Sequence, residues 1–476
     1  MFVLMTDNKA KVDRISTSFV PGGSWISAME VEALRPGESV MFDPDVKSYP
    51  KPFSAAAKGQ RQFMALLDID HSYSYGGQDA GDLFGPVIQI DVDPANTDVI
   101  ELHLSKVTAA RAKFEDTEKV KLVEFPSKLL SEFWGRPIMM HAGIALPPSF
   151  SNEPARTYAA VYNVHGFGGN HTGAWRAGPA AIEEMTQGKR AEMVMVYLDA
   201  SFPTGHHVFA DSVNNGPWGR ALTEELIPFL ESKYRLISKP YARFLTGHSS
   251  GGWSTLWLQV AYPDFFGGTW STAPDSVSFK SFTGIDATYG SKDNAFRNAD
   301  GSEKNLVRMN GKNIASIEDF IRQEEVAGPV GGQLASFDWV FSPRGPDGRP
   351  MKLFNRVTGE QDPFVQKEWE KYDINLIVQR NWATLGPKLL GKVHLVVGSM
   401  DTFHLEEAAI MLCDFLKSKG REDTCEVVPG RDHMNLYQKS DTYPDGLGLR
   451  IAKEMQTSFE KGEVAAKAAP KGKRTK

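Results

Sequence analysis

Arg243-Phe-Leu-Thr-Gly-His-Ser-Ser-Gly-Gly-Trp253 is a short apolar run that breaks into a Gly/Ser turn. Arg243-Phe-Leu-Thr246 reads as a buried strand, and Trp253 to Ala261 reads as the helix behind it. Between them lies Gly247-His-Ser-Ser-Gly251, with Gly252 extending the small residues on the helix side. A turn this tight lifts Ser249 off the sheet, and its glycines let strand and helix approach with no side chain between them. The pentapeptide by itself also fits an ordinary Gly/Ser-rich turn. Its place between a strand and a helix gives it chemical meaning.

A hydroxyl is a poor nucleophile at neutral pH. It needs a base within hydrogen-bond reach and donors for the oxyanion that develops. Downstream, the strand Lys392-Val-His-Leu-Val-Val397 runs into Gly398-Ser-Met-Asp401, and Cys425-Glu-Val-Val428 runs into Pro429-Gly-Arg-Asp-His433. Serine, acid and histidine at the ends of successive strands, in that order, form the pattern of an α/β-hydrolase fold. Ser249 is therefore the candidate nucleophile, His433 the base and Asp401 the orienting acid. Asp275, after the strand near Trp270, competes for the acid role. Asp432 does so less well, because a sequence neighbour of the histidine rarely aligns with its ring.

The oxyanion donors are expected from the N–H of Ser250 and from the loop His165-Gly-Phe-Gly-Gly169, which follows the apolar run Tyr158–Val164. Phe167 is the candidate there, with Gly168 next; an ordinary Gly-rich turn is the alternative. His248, beside the nucleophile, is a candidate substrate-lining residue. So are Asn215 and Trp218, which otherwise cap the helix that starts near Trp218. His165, His171, His206 and His207 suggest metal ligands, but no zinc-like spacing and no cysteine joins them. No metal and no cofactor is expected.

Strands alternating with helices from about residue 126 imply a mostly parallel sheet with helices on both faces. The clearest helices are Trp218–Tyr234 and Leu405–Ser418. Residues 280–385 interrupt the rhythm as an insertion with one convincing helix, Ile317–Glu325. Its aromatics Phe337, Trp339, Trp369 and Trp382 suit core packing, or contact with a sugar or phenolic group. Residues 1–125 alternate short strands, among them Ile88–Val92 and Ile100–Leu104, with Gly, Pro and Asp turns. They read as an N-terminal antiparallel β-sandwich accessory domain, with Tyr73–Gly85 an exposed loop. The catalytic domain is expected over 126–460 and a disordered basic tail over 461–476.

The chain has 476 residues, 41% hydrophobic and 24% charged, with a formal net charge of −6. That balance suits a folded protein of more than one domain and argues against nucleic acid as partner. No run of 18 apolar residues suggests a membrane span. Met1-Phe-Val-Leu-Met-Thr-Asp7 lacks the basic and apolar regions of a signal peptide. Cys413 and Cys425 are expected as two half-buried thiols, with a disulfide as the alternative in an oxidising compartment.

Over residues 126–440 the chain resembles the putative esterase family, whose relatives include esterase D, enterochelin esterases, feruloyl esterases and mycolyltransferases. The resemblance is carried by His165–Gly169, Gly247–Gly252, Val397-Gly-Ser-Met-Asp401 and Gly430-Arg-Asp-His433. Asn214–Arg220 with Glu224–Pro228 adds to it. It implies a serine ester hydrolase acting on a small-molecule or carbohydrate-linked ester. Transfer of the acyl group to another acceptor, or a non-catalytic carbohydrate- or partner-binding role, are the alternatives. It also implies an exported protein, against the missing signal peptide; a cytoplasmic one is the alternative. A prolyl-oligopeptidase-type peptidase fits less well, since residues 1–125 are too few for a propeller.

Overall fold

The structure is a computed structural model. It describes residues 1–17, 19–69, 80–93, 95–96, 98–110, 115–421 and 424–468. Eight strands form the central sheet, labelled here in chain order: β1 (Val120–Ser127), β2 (Ile138–Ala145), β3 (Ala160–Val164), β4 (Val194–Leu198), β5 (Arg243–His248), β6 (Gly268–Thr272), β7 (Val393–Gly398) and β8 (Cys425–Val428). Their spatial order is β1-β2-β4-β3-β5-β6-β7-β8. From β4 through β8 every neighbouring pair is parallel, whereas β1–β2 and β2–β4 are antiparallel. The expected parallel sheet therefore has an antiparallel edge.

The apolar runs are continuous because both faces of the sheet are covered. Val194, Val196, Leu198 and Leu245 enter one core cluster, while Met195, Tyr197 and Phe244 enter the other. Alternate side chains point to opposite faces of a strand, so a strand buried on both sides has no polar period.

Between β6 and β7 lies the insertion, which is more helical than expected. It holds the hairpin Asn305–Met309/Lys312–Ser316 and the helices Ile317–Ala327, Gln333–Phe341, Pro363–Trp369, Ile374–Arg380 and Trp382–Leu389. Ser316 and Asp319 form a capping box on the first of these helices. The four unpredicted helices are short, and two of them begin at capping aspartates, Asp362 and Asp373. At Asp362-Pro363 the proline occupies the first turn, where its missing N–H costs nothing.

The N-terminal antiparallel sheet is present. Gly59–Leu67 forks, pairing Ile88–Val92 along its first half and Leu83–Phe84 along its second. Of the expected exposed loop Tyr73–Gly85, residues 73–79 lie outside the described residues, and its end is corrected: Leu83–Phe84 pairs as a strand and Asp82 is buried. Ile100–Leu104 does not form a strand, although Leu102 packs against the sheet's apolar cluster. The strand β1 crosses the predicted domain boundary at residue 125, because its pairing with β2 starts at Val120.

Two further expectations are corrected. The helix Leu447–Ala468 continues through the first half of the predicted disordered tail. Gly462 lies against Tyr241, whose own Cβ an added Cβ would approach to 2.5 Å. A Lys467–Glu463 pair adds support one turn apart at 3.0 Å. Residues 469–476 of the predicted tail lie outside the described residues. Cys413 and Cys425 are bonded to each other, because the helix Leu405–Ser418 and β8 bring their Cα atoms to 5.6 Å. Cys413→Ser is expected to lower the unfolding free energy by about 3 kcal/mol, through lost constraint on the unfolded chain. Urea denaturation without reductant measures this, and an unchanged midpoint would show that the crosslink does not form.

Candidate active site

Ser249 leaves the C-terminal end of β5, which is flanked by β3 and β6 near the middle of the sheet. Its φ of 60° and ψ of −128° are unusual for a residue with a side chain, and such a conformation costs on the order of 1–3 kcal/mol. The surroundings enforce it. A Cβ on Gly247 would lie 2.3 Å from the Gly251 carbonyl oxygen, and one on Gly251 would lie 2.0 Å from that of Val164. Only hydrogen fits at either position, so the chain turns within one residue and the serine side chain projects.

Asp401 and His433 follow the ends of β7 and β8 and are both buried. His433 Nδ1 donates to Asp401 Oδ2 at 2.8 Å, which leaves Nε2 as the ring's acceptor. Asp401 Oδ1 accepts the Phe403 N–H at 2.9 Å. Burial would raise the Asp401 pKa, but His433 and these hydrogen bonds hold it below the ordinary value. Burial would lower that of His433, but Asp401 outweighs it and the pKa is raised above 6.5. The insertion clamps this loop: Arg308 donates its N–H to the Thr402 carbonyl at 2.8 Å and Nε to that of Asp401 at 3.1 Å.

The competing acids sit elsewhere in the hydrogen-bond network. Asp432 Oδ1 accepts the N–H groups of Met434 and Asn435, each at 2.9 Å, and so shapes its own loop. Asp275 Oδ2 accepts Ser250 Oγ at 2.5 Å, and Gln333 Nε2 donates to the same hydroxyl at 3.3 Å. Burial pushes the Asp275 carboxyl up to about 6 against the hydrogen bonds of Ser250 and Ser249 and the charge of His433.

Ser250 opens the helix Ser250–Ala261, so its N–H belongs to the first turn, which has no intrahelical acceptor. The loop carrying Phe167 approaches from β3. A Cβ on Gly166 would lie 3.3 Å from Ser249 Cβ, and the Gly169 N–H closes the turn onto the Gly166 carbonyl at 3.1 Å. His165 Nδ1 donates to that carbonyl at 2.7 Å, while Nε2 accepts the Ala200 N–H at 2.9 Å. His206 Nε2 donates to the His165 carbonyl at 2.9 Å. Of the histidines singled out in the sequence, His165 and His206 thus brace this loop, whereas His171 pairs with Asp199 and His207 accepts the Phe209 N–H at 3.1 Å. His141, His171 and Asp199 place one ligand-type atom each within 4.8 Å of one another. Asp199 already accepts from His171 and from the Ser201 N–H (2.9 Å) and hydroxyl (2.6 Å).

A cavity opens at Ser249. Phe19, Phe282, Leu306, Phe320, Leu334, Phe337, Phe403 and Leu405 supply its apolar walls, and Asp275, Ser276, Thr283 and Gln333 its other polar groups. Asn215 and Trp218 are not among the lining residues. Asn215 is buried, accepting Thr204 Oγ1 at 2.8 Å on its side chain and Trp218 Nε1 at 2.9 Å on its carbonyl. Trp218 stacks on His207 with ring centroids 3.7 Å apart. His248 flanks His433 instead of lining the cavity: its ring is 4.4 Å from that of His433, and burial pushes its pKa down to about 3. Of Phe337, Trp339, Trp369 and Trp382, Phe337 lines the cavity. Trp369 is buried in the core, Trp382 packs on Phe415, and the Trp339 carbonyl accepts Ser212 Oγ. Phe19, Phe282, Phe320, Phe403 and Gln333 were missed, since nothing local in the sequence relates them to Ser249.

A central sheet with this strand order and an elbow at the end of β5 defines an α/β-hydrolase, here a carboxylic ester hydrolase. The chain belongs to the putative esterase family, whose family model matches residues 137–434. Among solved structures it is similar to a ferulic acid esterase at 14% identity, covering 72% of this chain and 98% of that one, with a TM-score of 0.45. A ferulic acid esterase from Anaeromyces mucronatus, in complex with ferulic acid, is similar at 15% identity, 73% and 94% coverage and a TM-score of 0.37. An S-formylglutathione hydrolase from Agrobacterium tumefaciens is similar at 13% identity, 72% and 94% coverage and a TM-score of 0.38.

Proposed function

We propose that the chain hydrolyses carboxylic esters through an acyl-enzyme on Ser249, with His433 as general base and Asp401 as its orienting acid. The observation that carries this reading is the buried 2.8 Å bond from His433 Nδ1 to Asp401, on the loops beside the strained serine elbow. Ser249 Oγ attacks the ester carbonyl while its proton passes to His433 Nε2. The carbonyl electron pair moves onto oxygen, where the N–H groups of Ser250 and Phe167 stabilise it. Collapse of this intermediate expels the alcohol, which takes the proton from His433. Water then repeats the sequence on the acyl-enzyme, releasing the carboxylic acid and restoring Ser249. Asp401 stays ionised and stabilises the imidazolium formed in each half.

Turnover of p-nitrophenyl acetate and labelling by a serine-directed phosphonate test the reading. A burst of nitrophenolate and covalent label on Ser249 are expected. Absence of both from a correctly folded protein would overturn it.

The same geometry fixes a pH dependence. His433 works as a base only when neutral, and its pKa is raised above 6.5. Hence kcat/KM should be low in acid and climb to a plateau through an inflection above pH 6.5. An inflection near pH 4 would instead point to a carboxylate as the base.

A further inference from the structure

The Ser249 cavity is built from distant parts of the chain. Phe320 comes from the insertion helix Ile317–Ala327, Phe403 from the loop after Asp401, and Phe19 from the N-terminal segment. The Phe19 ring meets those of Phe320 and Phe403 edge-on, with centroids 5.1 and 5.6 Å apart. Phe403 in turn meets His433 edge-on at 5.0 Å. A residue more than two hundred positions from the nucleophile is thus two ring contacts from the base.

The insertion helix links the two units. Its Val326 and Ala327 pack with Leu4, Ile26 and Met64 of the N-terminal sheet. Its Phe320 faces the cavity, and Arg322 Nη2 donates to the Pro50 carbonyl at 3.0 Å. Val20, next to Phe19, packs against the core of the catalytic part. The N-terminal sheet therefore holds Phe19 in place across a helix that both units share.

We propose that Phe19 is a specificity-determining residue. In this arrangement the N-terminal sheet serves to set one wall of the pocket that receives the uncharged, apolar group of the ester. The inference rests on the ester-hydrolase reading. No Lys, Arg or His lines the cavity among the described residues, so nothing there would neutralise an anionic group. The cavity's phenylalanine and leucine walls, which outnumber the polar Asp275, Ser276, Thr283 and Gln333, instead discriminate by size and shape, in steps of about 1–3 kcal/mol per methylene, or 10- to 200-fold in kcat/KM.

The test uses the full chain with two ester series, one varying the acyl group at constant alcohol and one the reverse. Ser249 is first titrated with phosphonate. Failure of wild type at that step defeats the hydrolase reading and is separate from any result for Phe19. Phe19→Ala should raise kcat/KM for bulky esters relative to short ones by about tenfold or more in one series. Phe19→Trp should shift the ratio the other way, and Phe19→Leu should fall between wild type and Phe19→Ala. Val46→Ala, at an exposed position of the same unit, should leave the ratio at the wild-type value. Phosphonate labelling at the wild-type stoichiometry establishes that each variant is folded. Unchanged ratios in both series for labelled Phe19→Ala and Phe19→Trp would overturn the proposal. So would an equal fall in kcat/KM for every ester, since that is the mark of a merely structural role.

Discussion

Ser249→Ala is expected to lower kcat by about 10⁶-fold, with KM little changed, because the nucleophile and its base act as a unit. The adjacent hydroxyl does not replace it: the Ser250 side chain is buried and donates to Asp275 at 2.5 Å, and its backbone already belongs to the helix. Alanine removes only Oγ, so the elbow backbone and the oxyanion donors stay where they are. What remains should be a slow direct attack by water, helped by those donors and by substrate binding, on the order of 10³–10⁴ over the uncatalysed reaction. Stability should hold or rise, since the φ of 60° is imposed by the packing of Gly247 and Gly251 and not by the hydroxyl. Single-turnover measurements on p-nitrophenyl acetate check the loss. Retention of a nitrophenolate burst in the variant would move the nucleophile elsewhere.

The elbow, the order of its partners and the sheet could be read because each depends on local pattern. Arg243-Phe-Leu-Thr246 lacks polar alternation, as a strand covered on both faces must, and the glycines mark where backbones touch. Asp401 and His433 could be named from the strands they follow, although 32 positions separate them. The cavity walls could not be read in this way. Phe19, Phe320 and Phe403 converge only after the insertion helix has packed on both units, and a phenylalanine in a pocket looks like one in a core. The insertion's helices were missed for another reason: they are 7 to 9 residues long, too short for an apolar period to stand out. Their start signals were there in Asp362-Pro363 and Asp373. Asn215 and Trp218 drew attention as polar and aromatic residues near a helix start, yet Asn215 Oδ1 accepts from Thr204 and the Trp218 indole N–H is spent on the Asn215 carbonyl.

Two buried carboxyls border the elbow, and their amide variants should separate by roughly three orders of magnitude in kcat. Asp401→Asn should cost about 10⁴-fold, because an amide at that position favours the wrong tautomer of His433 and no longer stabilises the imidazolium. The shape is conserved, so the loss is electrostatic, and the pH profile should lose its inflection above 6.5. Asp275→Asn should cost less than about tenfold: the amide oxygen can still accept from Ser250 Oγ, and a neutral–neutral bond of this kind contributes about 1 kcal/mol. Its carboxyl, pushed up to about 6, is already half neutral near that pH, so removing the charge changes little in mild acid. Steady-state kinetics of the two variants between pH 5 and 9 decide the matter. A severe loss in Asp275→Asn beside a mild one in Asp401→Asn would transfer the orienting role to the strand end after β6, and the 2.8 Å contact to His433 would then be structural.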